Sequence, residues 1–377
     1  MARSIDDRLA KLNSRRKGTD RLDRIATDSI SEVLQKSYVT ESWEKRATSQ
    51  PHTRYALGAM QAVGERYTQI SLDTAERVGL QLKSALGATM YVDFRLQGSV
   101  PLDVHIRGVS DVDLLTLEGR MLTYSPLGAL ARAGKYYPTS LTSLQALIEL
   151  RREAETALRS AYPKATVDCS GGKCIALSGG SLARPVDVVP ANWNDNVEYQ
   201  SSLQEHDRGV TILNKHVPET LGNLPFLHIK RVHDADTGVL GGLKKAIRLT
   251  KNVKNDAEEE AAAKLPSFDI AALMYHADRS ALIAGYANEL AILAEAQRFL
   301  DWCWANQPQA KLLMTPDGTR AVLDTEAKID GLRAISSEMD ALAREVAREQ
   351  VATLRYADPS WAQVDEALRK AYVPAAA

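Results

Sequence analysis

The sequence predicts an α+β fold, with strands confined to the N-terminal half and helices filling the C-terminal half. Segments with a two-residue apolar period lie between residues 90 and 193, and long stretches before and among them have the three-to-four-residue period of helices. After about residue 215 the strand pattern ceases, and the chain becomes rich in Ala, Leu, Glu and Arg. We therefore divide the chain into a core of residues 1–215 and a helical lobe of residues 216–377.

Three helices are predicted in the N-terminal half. Residues 1–25 mix Arg, Lys and Asp with few apolar groups, which favours a frayed or surface helix. Residues 52–86 carry one apolar stripe at steps of three or four, which predicts a single long helix ending at Gly87. Residues 143–162 predict the third helix.

Four segments have the alternating pattern of strands: residues 90–99, 110–119, 165–180 and 184–193. The first runs into a Gly-Ser turn, and the second is expected to end at Glu118-Gly119. The third predicts a β-hairpin around Gly171-Gly172. The fourth is expected to stop at Pro190, because proline has no backbone donor for a sheet ladder.

The C-terminal half is predicted to be helical. Residues 239–254 form a basic helix, and residues 255–264 either extend it or link it to the next element. Residues 266–305 and 324–355 are mostly helical by period and composition. The final residues, Ala-Tyr-Val-Pro-Ala-Ala-Ala, have little reason to be ordered.

Composition and charge exclude several classes of protein. The 377 residues are 45% hydrophobic and 25% charged with a net charge of −1, so strong duplex DNA binding through charge alone is not expected. Cys169, Cys174 and Cys303 are too few for a disulfide framework, and His228 and His233 do not complete a paired zinc pattern. The charged N-terminus and the lack of a long apolar run predict a cytoplasmic protein with no membrane partner.

Three aspartates form the candidate catalytic centre. Asp111 and Asp113 lie two residues apart in a predicted strand, so their carboxylates point to the same side. Asp187 stands in the apolar strand Pro-Val-Asp-Val-Val-Pro, where an unpaired charge is costly unless a shared metal balances it. Mg²⁺ prefers such oxygen ligands, and two ions can hold both oxygens of an in-line displacement. A D-x-D pair also occurs in strands without catalytic role, so the prediction depends on the combination.

The segment from Gly98 to Leu115 resembles the signature of the DNA polymerase β-like nucleotidyltransferases. Its Gly98-Ser99 turn, in which glycine lets a phosphate approach and serine supplies a hydroxyl, precedes Ser110-Asp111-Val112-Asp113 without insertion. The chain is most similar to the oligoadenylate synthetase and cyclic GMP-AMP synthase group, whose bacterial members are the CD-NTases of CBASS anti-phage defence. Residues 243–254 resemble the family's spine helix, and residues 262–276 resemble its Pro-Ser-Phe helix start.

The resemblance implies a polymerase β-like nucleotidyltransferase core, in which a small mixed sheet carries the acids and a C-terminal helical lobe closes the nucleotide cleft. It implies Mg²⁺, or Mn²⁺ in its place, held by Asp111, Asp113 and Asp187. It also implies nucleoside triphosphate substrates, with ATP first and GTP or others as alternatives. The expected nucleotide-binding residues are Gly98, Ser99, Lys244, Lys251 and Ser267.

Without the resemblance, each of these residues has a simpler interpretation. Lys244, Arg248 and Lys251 share one helical stripe and would form a solvated basic face, in which Arg248 is the most structural member. Ser267 would cap a helix after Pro266. Phe268 would pack in a core more readily than it would stack on a base.

The expected function is the joining of nucleoside triphosphates into a cyclic di- or trinucleotide second messenger, which a downstream effector of anti-phage defence would read. The alternative is a non-cyclising nucleotidyltransferase that acts on RNA or on a protein acceptor. A binding protein without catalysis is disfavoured, because all three acids are present. The tail Pro374-Ala375-Ala376-Ala377 is a candidate for conjugation to a partner, and a merely disordered end is the simpler alternative.

Overall fold

The computed structural model describes residues 4–19, 40–87 and 90–375. The predicted N-terminal helix is present as α1 (Ile5–Lys17), which begins after Ser4 and ends at Gly18 in the left-handed conformation. The prediction of a surface helix was wrong, because Leu9 and Leu12 are buried in the core of the helical lobe. Residues 1–3 and 20–25 of the predicted helix, and the last two alanines, lie outside the described residues.

The predicted long helix is divided into α2 (Pro51–Met60) and α3 (Glu65–Leu86). The backbone is extended at Gln61 (ψ 143°) and at Gly64 (ψ 142°), and α3 ends at Gly87 as predicted. The apolar stripe continues across the break, but its two parts pack in different cores. The side chains of α2 enter the helical-lobe core, whereas those of α3 pack under the sheet.

The described strands form one mixed sheet: β1 (Val92–Gln97), β2 (Val112–Tyr124), β3 (Thr166–Asp168), β4 (Ile175–Ser178), β5 (Val186–Asp195), β6 (Gly209–Asn214) and β7 (Glu219–Asn223). The order is β1-β2-β5-β4-β3, and β6 joins the free part of β5 and pairs with β7. Among the described pairs, β2 and β5 are parallel and the others are antiparallel. The mixed sheet and the β3–β4 hairpin are therefore confirmed.

Two predicted strand ends were wrong. Strand β5 continues past Pro190 to Asp195, because β4 pairs with its first part and β6 only with residues 191–194, so that proline falls between the two partners on that edge. Strand β2 continues past Gly119 to Tyr124 through a shift in register between Glu118 and Thr123.

Among the described residues of the N-terminal half, three further α-helices follow: α4 (Ala129–Arg132), α5 (Ser143–Ala161) and α6 (Val197–Ser202). Helices α3 and α5 cover one face of the sheet. Leu82 of α3 and Leu150 of α5 are buried there with Leu114 and Val188, which are even-numbered residues of β2 and β5. The opposite face carries the odd-numbered residues, which include a small apolar cluster around Leu115.

The helical lobe contains α7 (Pro225–Gly238), α8 (Gly242–Asp256), α9 (Ser267–Met274), α10 (Arg279–Ala284), α11 (Leu290–Ala305), α12 (Gln307–Ala310), α13 (Glu326–Gln350) and α14 (Trp361–Lys370). The predicted helical character is thus confirmed, although α8 is mostly buried rather than a basic surface helix. After Asp256 a link leads to a 3₁₀ helix, Glu260–Lys264. Helices α1 and α2 also pack in this lobe, and the division at residue 215 stays a prediction.

The C-terminal segment is held in place as far as Pro374, contrary to the expectation of a disordered end. Arg46 donates to the carbonyl oxygens of Val373 (2.7 Å) and Pro374 (2.9 Å) and pairs with Glu289. In the described part of the chain, no helix is both long and apolar enough to cross a membrane.

Candidate active site

Two of the three candidate catalytic acids face each other across the parallel strand pair. Asp113 in β2 lies opposite Asp187 in β5, and Gln97 in β1 lies opposite Asp113 on the other side. Residues paired in register share a face, so both carboxylates emerge on the sheet face opposite α3 and α5. Asp111 immediately precedes β2 and is exposed. The structure therefore brings all three acids to one end of the β2–β5 pair.

The acids repel one another electrostatically. Burial, together with the charges of Asp187 and Asp111, raises the pKa of Asp113 to about 7. Burial and Asp111 also raise the pKa of Asp187. A divalent cation relieves this kind of repulsion. Within the described ranges, however, no three His, Cys, Asp or Glu side chains are close enough together to bind one metal ion. The three acids are therefore neighbours whose carboxylates do not yet point to a single position.

Gly98 is required by the position of Asp113. Its φ is +79°, a conformation that other residues adopt with strain, and a Cβ there would lie 2.1 Å from Oδ2 of Asp113. The next residue, Ser99, accepts a hydrogen bond at its carbonyl from Val104 N (3.0 Å), which closes the turn. The Gly-Ser turn therefore leaves space for the acid, in addition to the phosphate approach that the sequence predicts.

A cavity of about 270 Å³ lies between Asp113 and the helical lobe. Five of the predicted site residues line it: Gly98, Ser99, Asp113, Lys251 and Ser267. Asp111, Asp187 and Lys244 are not part of this lining. The cavity therefore brings one candidate catalytic acid together with most of the predicted nucleotide-binding residues.

The two predicted lysines of α8 have different surroundings. Lys251 is buried, its Nζ donates to the carbonyl oxygen of Val104 (2.6 Å), and burial lowers its pKa to about 7. Lys244 lies seven residues earlier, about two helical turns away, and its Nζ is 3.9 Å from Asp236 and 3.4 Å from His233. A role for Lys244 in nucleotide binding stays a prediction. The structural role of Arg248 is confirmed by its bond to the Met60 carbonyl (2.8 Å).

The far end of the cavity is aromatic. Phe268 on α9 is 38% exposed, and its ring stacks on that of His228 with centroids 4.4 Å apart. Burial lowers the pKa of His228 to about 4, so this ring is neutral at neutral pH. Ser267 is the first residue of α9 rather than its cap, which is Pro266. The predictions of Ser267 as a cap and of Phe268 as a core residue were therefore wrong.

Sequence reasoning did not assign Gln97, Asn223 and His228 to this site, although all three line the cavity. His228 lies on α7 and Asn223 ends β7, and neither follows a motif. Gln97 is the exception, because it directly precedes the Gly98-Ser99 turn at the end of a predicted strand. A search of the residues around that turn would have found it.

No family model matches the chain. The chain is 43% identical over 354 residues to the cyclic dinucleotide synthase CdnE of Yersinia aleksiciae. The aligned region covers 91% of this chain and 92% of that protein. It is 32% identical over 255 residues to a c-di-GMP synthase of a Lachnospiraceae bacterium (strain RUG226), over 62% of this chain and 70% of that one.

The fold is similar to that of a STING-associated CdnE c-di-GMP synthase from Flavobacteriaceae sp., with a TM-score of 0.69 at 23% identity over 91% of this chain and 98% of that chain. This similarity supports the predicted α+β nucleotidyltransferase fold. The identity to the Yersinia protein extends over nearly the whole chain and agrees with the resemblance carried by the Gly98–Leu115 segment. The chain therefore belongs to the CdnE family of cyclic dinucleotide synthases, which are nucleotidyltransferase enzymes.

Proposed function

We propose that this chain joins two nucleoside triphosphates into a cyclic dinucleotide and that Asp111, Asp113 and Asp187 form its catalytic centre. A ribose hydroxyl of one nucleotide attacks the α-phosphorus of the other, a new P–O bond forms, and pyrophosphate leaves with the electrons of the broken bond. A second transfer of the same kind closes the ring. The observation that carries the proposal is the pairing of Asp113 with Asp187 beside a cavity that Gly98, Ser99 and Lys251 also line.

The three acids suit Mg²⁺ or Mn²⁺. Burial raises the pKa of both Asp113 and Asp187, and the charges of neighbouring aspartates raise it further. Carboxylate oxygens are the ligands that these hard cations prefer. When bound, the metal neutralises phosphate charge and activates the attacking hydroxyl.

Three residues of the cavity have proposed roles toward the triphosphate. The absent side chain of Gly98 lets a phosphate approach the backbone, and the hydroxyl of Ser99 donates to a phosphate oxygen. Lys251 has a lowered pKa while it is buried against the Val104 carbonyl. Arrival of a triphosphate favours its charged form and lets Nζ exchange that carbonyl for a phosphate oxygen. The carboxylate of Asp187 receives the proton of the attacking hydroxyl.

The stacked rings of Phe268 and His228 are the proposed base-binding wall. An exposed aromatic face offers a stacking surface to any base, so this wall binds without reading base identity. Because His228 is neutral, no buried positive charge lies at this ring beside the base. ATP and GTP are the first substrates to test, and the product is expected to signal to a downstream effector in anti-phage defence.

The test of the function is product analysis. The purified chain is incubated with four labelled triphosphates and Mg²⁺ or Mn²⁺, and the products are digested with nuclease and identified by mass. We expect pyrophosphate and a product resistant to phosphatase, as a ring without free phosphate must be. Linear products alone, or label transferred to added RNA or protein, would instead support the non-cyclising alternative.

We also propose the C-terminal tail as a point of conjugation to a partner protein. Arg46 fixes the carbonyls of Val373 and Pro374, so the residues that follow start from a defined place on the surface. Deletion of Ala377 in the native host should remove any conjugate seen on a denaturing gel. An unchanged conjugate would reject this role.

A further inference from the structure

Arg107 links the loop from Gly98 to Asp111, which precedes β2, to the N-terminal helix α1. It lies four residues before Asp111. Its guanidinium donates to the carbonyl of Lys17 (3.2 Å) and to that of Arg16, which are in the last turn of α1. This contact is favourable because Arg107 hydrogen-bonds carbonyls that have no partner within the helix, and because its positive charge lies at the negative end of the helix dipole.

Gly18 makes room for this contact. It ends α1 with a φ of +77°, and a Cβ there would lie 2.8 Å from Nη2 of Arg107. The guanidinium also lies over the Tyr67 ring of α3, 4.9 Å from its centroid. The hydroxyl of Tyr67 in turn accepts from Gly108 N (3.0 Å). Helices α1 and α3 therefore hold two adjacent residues of the loop.

Helix α8 holds the same loop from its other end. Arg248 donates to the carbonyl of Asp103 (2.7 Å), and Lys251 donates to that of Val104 (2.6 Å). Ser110 folds back over the residues attached to α1 and α3: its hydroxyl accepts from Ile106 N (2.9 Å), and its backbone N donates to the Ile106 carbonyl (3.0 Å). The loop from Gly98 to Asp111 is thus suspended between α1 and α8.

The two supporting helices are locked to each other. Arg15 of α1 forms a two-bonded, buried ion pair with Asp256 of α8 (2.6 Å and 2.7 Å). Asp256 also accepts from the hydroxyl of Tyr55 on α2 (2.7 Å). A displacement of α1 is therefore transmitted both to the loop and to the helix that carries Lys251.

We propose that Arg107 is a positioning residue for nucleotidyl transfer, and that α1 belongs to the catalytic apparatus through it. By capping α1, Arg107 fixes the loop so that Ser99 and Asp111 stay aligned with Asp113 and Asp187. The inference rests on the proposed function, because it requires these acids to be the catalytic centre. Small errors in such alignment are costly, since the reacting groups must be held in a near-attack geometry.

The test compares Arg107→Met with Arg344→Met. Arg344 is a matched control in the helical lobe, because it also donates to a backbone carbonyl (Pro359, 2.6 Å) and lies over an aromatic ring (Trp361, 4.1 Å). We expect Arg107→Met to lower kcat about 10- to 100-fold and to weaken Mn²⁺ binding about tenfold, measured by electron paramagnetic resonance without nucleotide turnover. Hydrogen exchange should rise in residues 103–110. Arg344→Met should change none of the three.

Two further variants keep the result interpretable. Arg107→Lys retains a donor for the α1 carbonyls and should recover most of kcat and Mn²⁺ affinity. Gly18→Ala disturbs the same contact from the α1 side, so it should reproduce the defect of Arg107→Met even if that variant folds poorly. Its effect should not add to that of Arg107→Met in the double variant, because the two remove one contact.

The opposing result is equally specific. If folded Arg107→Met or Gly18→Ala matches Arg344→Met in kcat and Mn²⁺ affinity, Arg107 is only structural and the inference is rejected. Asp113→Asn separates this outcome from a failure of the proposed function. Inactive Asp113→Asn beside an active Arg107→Met rejects the positioning role alone, whereas active Asp113→Asn rejects the catalytic centre itself.

Discussion

The two faces of the β2–β5 strand pair share one backbone but differ in the side chains that they carry. Even-numbered residues such as Leu114 and Val188 are buried under α3 and α5 and form a continuous apolar layer. Odd-numbered residues begin with Asp113 and Asp187 and become apolar only further along, around Leu115. A two-residue period therefore places the apolar core on one face and the proposed catalytic acids on the other.

The largest expected effect on catalysis comes from the odd-numbered face. The double variant Asp111→Asn with Asp113→Asn should reduce pyrophosphate release by about 10³-fold or more, because the metal loses two anionic ligands. The fold should remain, since asparagine keeps the shape and removes charge repulsion. Circular dichroism checks the fold and a pyrophosphate assay checks activity. Full activity would reject the assignment of both acids.

A smaller loss is expected from Gly98→Ala, which adds only a methyl group. That Cβ would lie 2.1 Å from the Asp113 carboxylate, so the acid must move, and we expect kcat to fall about 100-fold. Gly134→Ala is the matched control, because Gly134 also has a positive φ (+65°) but open space around the Cβ position. Equal kcat values for the two variants would show that backbone strain alone, and not the carboxylate, matters at position 98.

The even-numbered face should give the opposite result. Leu114 is 2% exposed and adjacent to Asp113 in the chain. Leu114→Ala should lower the free energy of unfolding by about 2–5 kcal/mol through lost burial and a cavity, while kcat of the folded enzyme changes less than about threefold. Urea denaturation and steady-state kinetics measure the two quantities. A kcat loss as large as that of the aspartate variant would abolish the distinction between the faces.

The smallest expected effect comes from the titration of His228, and it is an effect on stability. Its pKa is lowered to about 4 in the folded chain, so between that value and its ordinary 6.5 the unfolded chain binds more protons. Stability should therefore be complete above pH 6.5 and fall as the pH drops toward 4, by at most about 3 kcal/mol. His228→Phe should flatten this part of the curve of unfolding free energy against pH. An unchanged slope would place the titration elsewhere.

The comparison of faces also explains what the sequence could predict. Strand periodicity is a local property, so neighbouring residues alone predict the β3–β4 hairpin. The predicted strand position of Asp111 was wrong, because β2 begins one residue later, at Val112. Helical periodicity is local too, but it does not reveal which core a stripe enters. The stripe of residues 52–86 therefore predicts one helix, although the structure changes cores at Gln61–Gly64.

Long-range packing accounts for the remaining differences. Lys244 and Lys251 share a helical stripe, yet only Lys251 lines the cavity, because its part of α8 faces the loop that carries Val104, whereas Lys244 lies near Asp236 and His233. His228 joins Phe268 only when α7 and α9 pack together, and no spacing along the chain encodes that contact. Similarly, the charged side chains of α1 suggested a surface helix, because their buried partner Asp256 lies far along the chain.

The contact between Gly98 and Asp113 also has an evolutionary consequence. The space that any side chain at position 98 would occupy already belongs to the Asp113 carboxylate. We therefore expect the two positions to vary together, because a side chain at position 98 forces the carboxylate of Asp113 to move. Given the proposed role of Asp113, we expect a related protein with a residue other than glycine at position 98 to have reduced activity, as one without the aspartate would.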